Sequence, residues 1–105
     1  NWFAGELAYL LRKLDSIPEP GGEGTILDNT TVVWTNELGQ GNNHTLSDIP
    51  MLLFGGGHGF RMGRSLNFDK VAHNRLWLSL AHAVGHRIET FGNKSLSEGG
   101  PLDLS

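Results

Sequence analysis

The sequence contains no cysteine, so a disulfide framework, a thiolate nucleophile and a cysteine-based zinc site are excluded. Basic residues are also few: eight Lys and Arg stand against eleven Asp and Glu, for a net charge of −3. A surface that neutralises nucleic-acid phosphates needs a basic stripe. We therefore expect no nucleic-acid partner.

Long apolar runs and familiar nucleotide or nucleophile motifs are absent as well. No run approaches the ~18 residues that a membrane span requires, so we expect no membrane span. The chain has no GxxxxGK[ST] loop, no GxGxxG opening a helix and no GxSxG elbow. A nucleotide site and a serine nucleophile are thus unsupported.

Glycine, by contrast, is abundant. The 105 residues include fifteen glycines, about twice the usual share, clustered at 21–24, 39–41, 55–63 and 99–100. Such density predicts loops with unusual backbone angles or close backbone approach. The length and the 38% hydrophobic content otherwise indicate one small globular domain over residues 1–105.

Hydrophobic spacing predicts two amphipathic helices and two or three short strands. The helices are expected at about 2–15, before Pro18, and at about 71–84, closed by Gly85. The strands are expected at 31–36 and 51–54, with a further edge strand at 65–68. The first two strands read as continuous apolar runs, which is typical of a parallel sheet covered by helices. The predicted fold class is therefore α/β, a small partial parallel-sheet sandwich with helices packed on it.

In such a sheet both strand ends point to one edge, where α/β proteins build their sites. Glu37 follows the first strand, and His44 lies in the next loop. A carboxylate and an imidazole can bind a divalent metal or transfer protons, so Glu37 and His44 are the candidate metal ligands. The alternatives are a surface or capping glutamate and a solvated loop histidine.

The other candidates have simpler interpretations. His82 and His86 have the i, i+4 spacing of a zinc pair, but Gly85 breaks the helix between them, which favours two helix-end histidines. His58 follows three glycines without a phosphate-loop signature. Three Asn-x-Ser/Thr sequons, at Asn29, Asn43 and Asn93, are a weak pattern. A glycan-binding role for Trp34 and Trp77 has little support, because both fit core positions.

Taken in order, four segments resemble a known family: LAYLLRKLDSIPE, GGEGTILDNTTVVWTNELGQGNNHTLSDIPMLLFGGGHGFRMGR, VAHNRLWLSLAHAVGHRIETFGN and GPL. They are similar to the C-terminal third of an uncharacterised bacterial family named for a His-x-x-Ser-His-His motif. That family looks related to the alkaline-phosphatase/sulfatase-like superfamily. The resemblance covers nearly all of the chain.

The resemblance implies a C-terminal fragment of a larger exported α/β protein, periplasmic or at the cell surface, often with a twin-arginine signal. In the superfamily the matching strand ends in Thr-Ser-Asp-His-Gly, whose Asp and His bind catalytic metals. Thr35 to Gly39 occupy that place here, so Glu37 keeps a carboxylate whereas Leu38 cannot bind metal. A later histidine ligand looks like His44, so at most two of the three ligands survive.

Two functions from different classes follow. The first is metal-dependent ester hydrolysis in the full-length protein, using one divalent metal (zinc, manganese or calcium), with the fragment itself inactive. The second is a non-catalytic binding or assembly module on the same scaffold, which Leu38 favours. We also expect the missing N-terminal part of the protein as a partner, and self-association through the first helix, whose Trp2 and Phe3 need cover.

Overall fold

The computed structural model describes residues 1–105, which form two compact units, residues 1–62 and residues 63–105. The first contains helix α1 (Trp2–Asp15), a 3-10 turn (Leu27–Asn29) and strands β1 (Val32–Thr35) and β2 (Met51–Phe54). The second contains helix α2 (Asn74–Ala83) and a 3-10 turn (Lys94–Leu96). The α/β class is thus confirmed, while the single partial domain expected for residues 1–105 stays a prediction.

Helix α1 has the bounds that its apolar spacing predicts. The Asn1 side chain accepts a hydrogen bond from the Phe3 amide at 3.1 Å, which satisfies one of the free donors of the first turn. At the other end the Ser16 amide donates to the Arg12 carbonyl, and Pro18 follows. One face of the helix, with Leu7, Leu11 and Leu14, is half-buried.

The two strands pair antiparallel, with Val32 opposite Phe54 and Thr35 opposite Met51. The expectation of a parallel sheet is therefore wrong for this pair. Residues 36–50 form no crossover helix and return the chain as a hairpin, which is the connection that antiparallel strands allow. The strands are not buried on both faces either, because Trp34 is 36% and Leu52 43% exposed.

Helix α2 begins at Asn74, three residues after its predicted start, with His73 at the N-cap position. Its end follows the prediction: the amide of Gly85 donates to the His82 carbonyl and the amide of His86 to the Ala81 carbonyl. This is the Schellman pattern, in which a left-handed glycine closes the helix. No strand forms at residues 65–68, which have no regular secondary structure and pair with neither strand of the sheet.

The few buried apolar residues all lie in the second unit. Leu76 and Leu78 of α2 are buried together with Leu104 of the C-terminal segment. Ser79 Oγ donates to the carbonyl of Leu102 at 2.9 Å, and Arg75 Nε donates to the carbonyl of Gly100 at 2.7 Å. The C-terminal segment therefore docks along α2 through these two hydrogen bonds. Neither helix has the length and apolarity to cross a lipid bilayer.

Candidate functional site

The β1–β2 loop, residues 36–50, carries both candidate metal ligands. Its first turn is fixed by Asn36, whose Oδ1 accepts from the Glu37 amide at 3.0 Å and whose Nδ2 donates to the Leu38 carbonyl at 3.1 Å. Thr35 Oγ1 donates across the loop to the Pro50 carbonyl at 3.0 Å. The backbone that presents Glu37 is thus held by its polar neighbours.

Two backbone hydrogen bonds close the middle of this loop. The Gly39 amide donates to the Thr45 carbonyl at 2.8 Å, and the Thr45 amide donates to the Gln40 carbonyl at 3.3 Å. A Cβ atom at Gly39 would overlap the carbonyl oxygen of Ser47, so only glycine fits there. The closure brings the segment after Glu37 and the segment after His44 side by side.

The same loop holds two non-glycine residues in the left-handed region, His44 at φ 50° and Asp48 at φ 54°. A side chain in that region costs on the order of 1 kcal/mol or more and persists only where the surrounding structure fixes it. Such residues cluster at functional sites. The left-handed backbone at His44 and Asp48 therefore supports this loop as a functional site, and it does not identify a ligand.

Glu37 and His44 are both exposed, and neither side chain is engaged in a hydrogen bond or ion pair with the other. No group of three or more His, Asp and Glu side chains lies close enough to hold one metal ion. Zinc sites in proteins take three or four protein ligands, and Glu37 and His44 are two. Leu38, between Glu37 and Gly39, is half-buried.

The triple glycine after β2 lies at the opposite end of the hairpin, not beside Glu37. An antiparallel pair sends its two carboxyl ends in opposite directions, so the expected meeting of both strand ends at one edge is wrong. The glycines also have a packing role: a Cβ at Gly55 would overlap the Thr30 carbonyl, and one at Gly57 would lie 2.6 Å from Asn29. This stretch is packed against protein and is not an open cradle for a phosphate.

His58 is half-buried and its Nδ1 lies 2.7 Å from Thr31 Oγ1. Its ring also lies near Phe60, with ring centroids 6.5 Å apart. The hydrogen bond between Thr31 and His58 connects the loop after β2 to the residue before β1. Sequence reasoning missed Thr31 as a partner of His58, because nothing local indicates a bond between residues so far apart in the chain.

The helix-end histidines do not form a metal pair. His82 Nε2 lies 2.7 Å from the Ile88 carbonyl oxygen, which accepts the ring proton, while His86 is exposed beyond the helix end. The two histidines also belong to no group of three or more His, Asp and Glu side chains that could hold one metal ion. This agrees with the interpretation of two helix-end histidines.

No family model matches the chain, and comparison with curated proteins and with solved structures found no match.

Proposed function

We propose that the chain is a binding or assembly module whose first unit is covered by another polypeptide. The observation that carries this proposal is the absence of any buried residue among residues 1–62. A folded unit normally keeps apolar side chains inside, and one that exposes them gains stability when a partner covers them. The α/β scaffold then serves recognition and not a reaction.

The surface that supports this proposal is concentrated on α1. Four large side chains there are strongly exposed: Trp2 by 70%, Phe3 by 66%, Tyr9 by 62% and Leu10 by 45%. Together they offer on the order of 500 Å² to solvent, since an aromatic side chain carries about 150–250 Å². The largest apolar patch on a monomer is typically about 300–600 Å² and is often an interaction site.

Hydrogen exchange followed by mass spectrometry tests the proposal in dilute solution. We expect amides in residues 1–62 to exchange much faster than those of α2, because no fully buried side chain stabilises the first unit when it is uncovered. Slow exchange in both units of a dilute monomer would contradict the proposal, since it would mean that residues 1–62 are stable without a partner.

A second candidate function is metal-dependent ester hydrolysis in the full-length protein, in an exported alkaline-phosphatase-like context. It is favoured by the closed β1–β2 loop, which carries a carboxylate and an imidazole with unengaged donor atoms. Glu37 and His44 would be two ligands of one divalent metal, with the remaining ligands supplied from outside residues 1–105. The chain by itself would then be inactive.

Zinc titration by NMR separates this candidate from the first. We expect only weak binding, with chemical-shift changes centred on Glu37 and His44, because two ligands fall short of the three or four in established sites. Glu37→Gln or His44→Gln should abolish the changes. The exposed pair Glu89→Gln and His86→Gln is the matched control. Shifts that survive both loop substitutions would exclude these residues as ligands.

A further inference from the structure

We propose that the partner of α1 is a second copy of the same chain, paired antiparallel through one face of the helix. This inference rests on the proposed assembly function and identifies its partner. The face, called here the outer stripe, consists of the exposed side chains that follow one line along the helix: Trp2, Phe3, Glu6, Tyr9, Leu10 and Lys13.

Helical geometry places these six side chains together. At about 100° per residue they span a stripe roughly 120° wide, beside the half-buried face that holds Leu7, Leu11 and Leu14. Trp2 and Phe3 already touch edge to face, with ring centroids 5.1 Å apart. The helix therefore has a second apolar face. The rest of the chain covers this face less than it covers the face that holds Leu7, Leu11 and Leu14.

The charged residues of the outer stripe favour a second copy of the chain as the partner and an antiparallel direction for its helix. Glu6 lies in the first half of the helix and Lys13 in the second, both in line with the aromatic residues. In an antiparallel pair with its two-fold axis between Tyr9 and Leu10, Glu6 of each copy faces Lys13 of the other. A parallel pair would set Glu6 against Glu6 and Lys13 against Lys13, which is repulsive.

The apolar residues match in the same register. Tyr9 of one copy faces Leu10 of the other, and Trp2 reaches Ile17, which is 36% exposed just beyond the helix. A self-complementary patch of this kind is what a two-fold interface requires, because every contact occurs twice. The antiparallel arrangement thus satisfies charge and shape with one set of residues.

A membrane surface fits the stripe less well. Helices that lie on membranes are typically rich in Lys and Arg on their polar face and are attracted to anionic lipids. Here Glu6 stands within the apolar stripe, and the chain has a net charge of −3. We therefore favour a protein copy over a lipid surface.

The expected dimer is weak. The outer stripe offers less than the ~800 Å² that each partner of a stable complex buries, so association should depend on concentration over about 10–500 µM. Sedimentation velocity over this range should show a monomer–dimer equilibrium for the complete 105-residue chain.

Charge reversal tests the register. Glu6→Lys and Lys13→Glu should each weaken the dimer about tenfold, because each places like charges opposite one another twice. The double variant Glu6→Lys/Lys13→Glu should restore wild-type association, since it exchanges the partners without losing either pair. Asp15→Lys, an exposed charge reversal outside the stripe, should change association little. Circular dichroism checks that each variant keeps its helices.

Three results would overturn the inference. The first is a wild-type chain that stays monomeric at the highest concentration. The second is a dimer that the single reversals leave unchanged; it would show another interface and leave the proposed assembly function standing. The third is co-sedimentation of the chain with anionic vesicles without dimer formation, which would assign the stripe to lipid. Fast exchange in residues 1–62 remains the separate test of the assembly function.

Discussion

The Gly39 amide nitrogen and the Thr45 carbonyl oxygen lie 2.8 Å apart and close the β1–β2 loop, which carries the two candidate ligands. The closed segment contains His44 and begins two residues after Glu37. Its formation depends on the close approach of residue 39 to Ser47, where a side chain has no room. The candidate site is therefore positioned by backbone contacts and not by the ligands themselves.

Gly39→Ala should open this loop. The added methyl group would overlap the Ser47 carbonyl, so the backbone must move and the Gly39–Thr45 hydrogen bond should weaken. We expect a loss of about 1–3 kcal/mol in the free energy of unfolding of the first unit, measured by urea titration at a chain concentration that favours the dimer. Gly41→Ala is the matched control, because the Cβ position of Gly41 faces open space. Equal effects of the two substitutions would contradict the packing argument.

Thr31→Val should loosen the other end of the hairpin. The substitution keeps the shape of the side chain and removes the hydroxyl that pairs with His58 Nδ1 at 2.7 Å, leaving a half-buried ring nitrogen without its partner. The expected cost is about 0.5–1.5 kcal/mol in the free energy of unfolding, measured by urea titration at a chain concentration that favours the dimer. Thr30→Val changes a neighbouring threonine whose hydroxyl makes no such bond and should cost less. A neutral Thr31→Val variant would contradict a stabilising role for the Thr31–His58 contact.

The local elements follow from the sequence because their causes are local. Helix α1 and the Gly85 end of α2 were predicted from apolar spacing and from a glycine after the last turn, and both are present. The direction of β2 could not be predicted, because apolar runs do not specify which way a neighbouring strand points. The strand expected at 65–68 failed for a related reason: a strand needs a partner, which its own residues do not reveal.

For the candidate site the sequence identifies residue types and not their arrangement. Glu37 and His44 were selected by chemistry, and the structure brings their segments together through Gly39 and Thr45. Motif analysis could not predict the Thr31–His58 pair, because it joins the residue before β1 to the loop that follows β2. Contacts between distant segments depend on the relative direction of the two strands, which was itself predicted incorrectly.

Ser79→Ala should release the C-terminal segment from α2. Ser79 is only 6% exposed, and its hydroxyl lies 3.0 Å from the Arg75 carbonyl and 2.9 Å from the Leu102 carbonyl. Removing it leaves the Leu102 carbonyl short of a donor, at a cost of about 1 kcal/mol. Faster amide exchange at Leu102 and Leu104 should accompany this loss. Ser65→Ala, at an exposed serine, is the control, and unchanged exchange in Ser79→Ala would contradict the docking role.

Low pH should destabilise the turn that precedes β1, because it protonates the Asp28 carboxylate. The Thr25 amide donates to the Asp28 carboxylate at 2.8 Å and the Thr25 hydroxyl at 3.0 Å, and these bonds, the amide first, lower the pKa of Asp28. The unfolded chain then binds a proton more readily than the folded one. Stability from this group is therefore fully present above the ordinary Asp pKa of about 3.9 and is lost as pH falls through the lower folded pKa.

The Thr25 amide proton reports this titration by NMR. In the wild type its chemical shift should change with a midpoint below about 3.9, the ordinary pKa of Asp. Thr25→Val removes the hydroxyl but keeps the amide, so the midpoint should rise towards the ordinary value without reaching it. Asp28→Asn should remove the transition at residue 25 altogether. A midpoint that Thr25→Val leaves unchanged would mean that the hydroxyl does not stabilise the carboxylate, and the lowered pKa of Asp28 would then depend on the amide alone.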